Sequence, residues 1–141
     1  MEQRLTFITI GVNDMKLMTD FYKEKFGWTP LKEMDDVVFF MLNGIVLALY
    51  PSLDLAADAK IPYSGTGWKR FAFAINFRSE EEVNQHVENL KANGVNIIKA
   101  PAKTSWGGYH AYIEDAEFNL WELAYNPFLE MDTEGNVKSH T

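Results

Sequence analysis

The chain has 141 residues, 47% of them hydrophobic and 14% aromatic, with no cysteine and a formal charge of −7 from 13 basic and 20 acidic side chains. That length suits one compact domain, and its Phe, Tyr and Trp side chains can bury on the order of 3000 Å² at roughly 150–250 Å² each, so folding requires neither disulfides nor a structural metal. Thiol catalysis and cysteine-ligated zinc are excluded, and an acidic chain without a basic run is a poor partner for nucleic acid.

The N-terminal MEQRLTFITI lacks the layout of a signal peptide. The longest apolar runs, Val37–Leu42 and Ile45–Tyr50, fall far short of the roughly 20 residues a membrane helix requires, so a cytoplasmic protein with no membrane partner is expected. Leu5–Ile10 alternates β-branched, aromatic and polar residues and reads as a strand. Asn13-Asp14 offers helix N-caps, and Met15, Met18, Phe21, Tyr22 and Phe26 recur at spacings of three and four, which predicts a helix over about 14–26 that ends at Gly27. Trp28–Met34, Val37–Leu42 and Ile45–Tyr50 follow as short strands, the last two joined by the hairpin signal Asn43-Gly44. Residues 51–69 carry Pro51, Pro62, Gly65 and Gly67 and read as a connection with a short helical turn at Asp54–Lys60.

The same order of elements then returns. Arg70–Phe77 is a strand, and Ser79 with Glu82 forms a capping box for a helix carrying Val83, Val87 and Leu90 and ending at Gly94. Val95–Lys99, Gly108–Glu114 and Phe118–Tyr125 are three further strands. The module exits rhyme, Leu47-Ala48-Leu49-Tyr50-Pro51 against Glu122-Leu123-Ala124-Tyr125-Asn126-Pro127, and point to a tandem duplication. The expected fold class is α+β, with two βαβββ modules at about 5–50 and 70–127 in one domain spanning 1–128. Residues 129–141 read as a polar C-terminal tail.

A βαβββ unit used twice, with the helix entrance Val12-Asn13-Asp14, the helix exit Phe21-Tyr22…Phe26-Gly27-Trp28 and the closing Trp121-Glu122-Leu123-Ala124-Tyr125-Asn126-Pro127, resembles the vicinal-oxygen-chelate superfamily. That group includes glyoxalase I, bleomycin-resistance proteins, extradiol dioxygenases and fosfomycin-resistance enzymes. The resemblance spans about residues 5–127 and implies curled mixed sheets around a shared pocket, a small-molecule ligand and a homodimer. A hairpin that commonly reads Asp-Pro-Asp-Gly in the family is Asp115-Ala116-Glu117-Phe118 here.

Metal-dependent members hold a divalent ion through His or Glu on the first and last strands of the modules, leaving positions open for two vicinal substrate oxygens. The first-strand position is Phe7 here. The repeat aligns Leu47 with Glu122, and the first strand of the second module offers only Phe71, Ala72, Phe73, Ala74, Ile75 and Asn76. Glu122 alone is a donor, so no metal and no other cofactor is expected. Of the three histidines, His140 is near the chain end and His86 is at the edge of a helix stripe. His110 lies on the strand expected to pair with that of Glu122, where the hairpin register decides whether the two side chains share a face.

Glu122 is the candidate catalytic residue, as a carboxylate in an otherwise apolar strand. Its bland role is to hold its neighbours by hydrogen bonds. Phe7, Thr9, Leu47, Leu49, Phe73, Trp106, Tyr109, Tyr112 and Tyr125 are the candidate ligand-binding lining, with Trp106-Gly107-Gly108-Tyr109 placed to close over a pocket mouth. The expected function is binding of a small organic molecule in an aromatic pocket, after the manner of bleomycin-resistance proteins. The alternative is a glyoxalase- or dioxygenase-like lyase or isomerase that uses Glu122 with a non-standard metal site or as a metal-independent base. Lys23–Lys25 and Lys99–Lys103 read as solvated surface, and Glu80-Glu81-Glu82 as a favourable charge at a helix N-terminus.

Overall fold

The computed structural model describes residue 3 and residues 6–60, 62–65, 69 and 71–141. Leu5 and Arg70, expected to open the first strand of each module, lie outside the described residues. The chain falls into two compact units, Met1–Trp68 and Lys69–Thr141.

In the first unit, β1 (Phe7–Val12) leads into α1 (Met15–Glu24), followed by β2 (Lys32–Glu33), β3 (Val38–Met41) and β4 (Val46–Pro51), then α2 (Ser52–Ala59). The sheet order is β1-β4-β3-β2, with β1 and β4 parallel and the other pairs antiparallel. The Asp14 carboxylate caps α1 by accepting from the Leu17 N–H at 2.9 Å, and Gly27 takes a positive φ of 70° just beyond its end. Ile10, Val12, Leu47, Leu49, Val38 and Phe40 share one face of the sheet and are buried with Met18, Phe21 and Tyr22 of α1. The strand expected over 28–34 shortens to two residues. Pro30 has no N–H to give a ladder, so pairing starts at the Leu31 N–H, which donates to the Phe39 carbonyl at 2.7 Å.

The second unit repeats the plan with β5 (Ala72–Phe77), α3 (Glu80–Ala92), β6 (Ile97–Lys103), β7 (Tyr109–Glu114) and β8 (Leu120–Tyr125), in the order β5-β8-β7-β6. Ser79 Oγ accepts from the Glu82 N–H at 3.1 Å and Glu82 answers by accepting from the Arg78 N–H at 2.8 Å. This is the expected box, shifted by one residue on its return bond. Val83 and Val87 of α3 are buried, as are Ala111, Ile113, Trp121 and Leu123 on the strands beside it. β6 runs four residues beyond its expected end, through Pro101, because it is an edge strand and tolerates a missing donor. Its register with β7 slips twice, between Ile97 and Lys99 and again between Lys99 and Ala102.

The expected polar tail is instead a hairpin of β9 (Leu129–Met131) and β10 (Val137–His140). Its turn is a chemical copy of the β7–β8 turn. Asp115 Oδ1 accepts from the N–H groups of Glu117 and Asn119 at 3.0 and 2.9 Å, while Asn119 Nδ2 donates to Oδ2 at 2.7 Å. Asp132 does the same with Glu134 and Asn136 at 2.9, 2.8 and 3.0 Å. Both turns read Asp-x-Glu-x-Asn, and the Asp side chain supplies the fold that composition alone does not signal. Among the described residues no helix is long and apolar enough to cross a membrane.

Candidate functional site

The open face of the second sheet, opposite α3, carries a chain of three polar groups. In the β7–β8 register Tyr112 faces Glu122 and His110 faces Ala124, so the pleat puts His110, Tyr112 and Glu122 on one face. His110 Nδ1 and Glu122 Oε1 are 2.7 Å apart, and His110 Nε2 and Lys99 Nζ are 2.9 Å apart. A carboxylate only accepts and an ammonium only donates, so the arrangement fits one neutral imidazole tautomer: Nδ1–H donates to Glu122 and Nε2 accepts from Lys99. The His110 side chain is 12% exposed and that of Glu122 24%, whereas Lys99 lies open to solvent. The two bulges of β6 place Lys99 opposite Tyr112 and Ala102 opposite His110.

Aromatic groups frame the imidazole. The Tyr112 ring stands edge-on to His110 at 5.1 Å between centroids and the Trp106 ring at 6.4 Å. Burial, and after it the negative charge of Glu122, push the Tyr112 phenol above its usual range, so it keeps its proton at neutral pH. Gly107 takes a φ of 98°, and the Trp106 indole folds over Gly108 so closely that a Cβ there would lie 2.0 Å from the ring. Thr104 locks this loop, accepting from the Gly108 N–H on Oγ1 at 2.9 Å.

The strand registers sort the expected lining. Phe73, Tyr109 and Tyr125 lie on the α3 side of the sheet, where Tyr109 Oη donates to Asn84 Oδ1 at 2.8 Å and Phe73 packs on Trp121 at 4.9 Å. Leu47 and Leu49 lie under α1, at 1% and 0% exposure. Leu47 and Leu49 belong to the core of the first unit, while Phe73, Tyr109 and Tyr125 are half-buried on the helix side. Phe7 and Thr9 are on the open face of the first sheet, with Phe7 edge-on to Phe39 at 5.9 Å. Tyr112, Trp106 and Glu122 are the members brought together.

The repeat alignment also moves by one residue. Thr9 pairs with Ala48 in the first unit as Ala74 pairs with Glu122 in the second, so the counterpart of Glu122 is Ala48, and Leu47 matches Trp121. Rhyming the two exits on Tyr50 and Tyr125 placed the single-residue length difference on the wrong side of the strand, and one residue of slip reverses the face. His110 could be suspected from its position near Glu122. Lys99 is exposed, as its sequence suggests, but the bulges that bring it within 2.9 Å of His110 leave no periodic signal. The first unit separately holds a groove of about 320 Å³ beside α1 and β2, whose Asp20 and Glu33 are already paired with Lys16 and Lys23.

Residues 4–123 match the family model described as the glyoxalase/bleomycin resistance protein/dioxygenase superfamily. The chain belongs to this superfamily. A glyoxalase-related enzyme from Fulvimarina pelagi, known from its crystal structure, is 30% identical and superposes with a TM-score of 0.87 over 99% of this chain and 100% of that one. The metallothiol transferase FosB of Staphylococcus saprophyticus is 29% identical over 123 residues, covering 87% of this chain and 77% of its own length. The fosfomycin resistance protein FosX from Listeria monocytogenes shares the fold, at 24% identity and a TM-score of 0.68 over 89% of this chain and 95% of that one. The superfamily membership accounts for the duplicated modules. It leaves His110 and Lys99 to be explained by this chain's own geometry.

Proposed function

We propose that this superfamily member binds a small organic ligand on the open face of its second sheet, against His110, Tyr112 and Trp106, and does so without a divalent metal. The observation that carries the reading is the commitment of Glu122 to His110 at 2.7 Å together with the residues at the related open-face positions, Phe7, Thr9 and Ala48 in the first unit and Ala72 and Ala74 in the second. Except for the weak hydroxyl of Thr9, these are hydrocarbon side chains that donate nothing to a metal. Among the described residues no three His, Asp or Glu side chains come together as a metal-holding group. The donor set therefore does not fit the ion that metal-dependent relatives hold, because the Glu122 carboxylate with the His110 imidazole leaves a transition metal without a third protein ligand.

Aromatic edges around a few convergent polar groups suit a planar or partly apolar small molecule. The protein works in this reading as a homodimer, as the family resemblance implies, and in the cytoplasm. A test is a ligand panel of fosfomycin, planar aromatics and small carbonyl compounds followed by indole fluorescence, because Trp106 stands beside the site. Saturable quenching that disappears in Trp106→Phe supports the reading, and a panel without any saturable response contradicts it. Light scattering gives the mass, with two chains expected.

A further inference from the structure

The groove of about 320 Å³ in the first unit has walls that select one kind of ligand. We propose that it binds a short aliphatic diamine, with one ammonium held on the α1 wall by Asp20 and Thr19 and the other on the strand wall by Glu33 and Asp35. The groove shares no residue with the open face of the second sheet, and the proposal goes beyond the function argued for that face.

The charge of the walls comes first. Helix α1 contributes Met15, Lys16, Thr19 and Asp20, while β2, the turn after it and β3 contribute Glu33, Met34, Asp35 and Val38. The turn is closed by the Met34 N–H, which donates to the Val37 carbonyl at 2.9 Å. Three carboxylates stand against one ammonium among these side chains, in a chain whose formal charge is already −7, so cations are drawn in and anions repelled. Asp20 is paired with Lys16, and Glu33 with Lys23 at 3.1 Å, but these four side chains are 36% to 86% exposed. Exposed pairs of this kind contribute little, so both carboxylates can change partners for a bound ammonium. Asp35 is exposed and makes no ion pair among the described residues.

The spacing of the charges comes second. Although the carboxylates line one groove, among the described residues no three acidic or histidine side chains gather closely enough to hold a metal ion. Negative charges set apart in this way suit an elongated ligand with positive charges at its two ends. A volume at the small end of the range for ligand pockets, which run to roughly 1,000 Å³, keeps that ligand short.

Thr19 supplies the third argument. It is only 5% exposed, it lines the groove, and its hydroxyl has no hydrogen-bond partner among the described residues. No wholly buried side-chain oxygen among them lacks a partner, so this hydroxyl opens onto the groove. An ammonium, which only donates, supplies the bond it lacks. Met15, Met34 and Val38 form the apolar bed for the methylene stem, and methionine side chains adapt to a thin, flexible ligand.

Calorimetric titration of the full-length protein with putrescine at low salt is the test, with butylamine and Mg²⁺ as controls. Saturable binding of putrescine is expected, with butylamine at least about tenfold weaker for want of the second charged bond. Asp35→Asn, at an exposed position, should keep the fold and weaken putrescine by about tenfold. Thr19→Val removes a hydroxyl that bonds nothing in the protein, so the thermal midpoint should hold or rise while putrescine affinity falls about fivefold. No saturable heat with putrescine, equal affinity for putrescine and butylamine, Mg²⁺ bound as tightly as putrescine, or an affinity unmoved in Asp35→Asn overturns the proposal. So does a Thr19→Val protein that stays folded and binds putrescine as the native chain does.

Discussion

Phe118 is the residue most at odds with its backbone. It has a φ of 67° and is 71% exposed, at the position of the β7–β8 turn that its chemical twin in the β9–β10 turn gives to Gly135, with a φ of 88°. A side chain in this left-handed region is strained by roughly 1–2 kcal/mol, and exposure recovers little of that by burial. Phe118→Gly is expected to raise stability by about 1 kcal/mol net of the extra freedom glycine gives the unfolded chain, measured by urea unfolding. The turn survives without Pro and Gly because Asp115 and Asn119, each 3% exposed, hold it through their side chains, and Lys69 adds a 2.7 Å bond to Asn119 Oδ1. Gly108 shows the opposite dependence. A methyl group there would sit 2.0 Å from the Trp106 ring, so Gly108→Ala should expel the indole from beside His110, shift its fluorescence to the red and abolish the ligand response while the far-ultraviolet circular dichroism is kept. Unchanged indole emission would refute the placement of Trp106.

At the scale of elements, the C-terminal hairpin owes its fold to carboxylates. Hydrogen bonds from the Asn136 side chain, and then from the N–H groups of Asn136, Glu134 and Gly135, hold the Asp132 carboxyl below its usual range. Lys138, and then Ser139, do the same for Glu130. A carboxyl whose pKa is lowered by folding contributes stability above its unfolded pKa and loses it as pH falls through the folded one. Amide exchange within residues 129–140 should therefore quicken below the ordinary carboxylate range before that of β7 and β8 does, and Asp132→Ala should bring the same loosening at neutral pH; hairpin protection that is indifferent to both would contradict this origin. How much of this could be read from sequence varies by element. Helices α1 and α3 were legible because their apolar stripes and caps are local, and so was the Asn43-Gly44 hairpin, where Gly44 takes a φ of 96°. The short β2 and the long β6 were not, since pairing partners and bulges decide where an edge strand ends. The β9–β10 hairpin was hidden by its polar composition, although the Asp-x-Glu-x-Asn pattern stood twice in the chain.

For the whole molecule, the superfamily and the duplicated architecture could both be read from residue order. The face on which each lining residue falls could not, because strand alternation converts a one-residue error in register into the opposite side of the sheet. Leu47 and Ala48 exchange places in this way, and Phe73, Tyr109 and Tyr125 fall on the α3 side of the sheet, half-buried. What joins these scales is the hydrogen-bonded chain on the open face of the second sheet, where Glu122 holds His110 at 2.7 Å and which we propose stands in place of a metal site. Elemental analysis of protein purified without chelator or affinity tag, followed by thermal unfolding with added Ni²⁺, Zn²⁺, Mn²⁺ and Fe²⁺, tests this most directly. Substoichiometric metal and a midpoint unmoved by any of the four ions is the expected result; one equivalent of bound metal, or a rise of several degrees at modest ion concentration that is lost in Glu122→Gln, would contradict it.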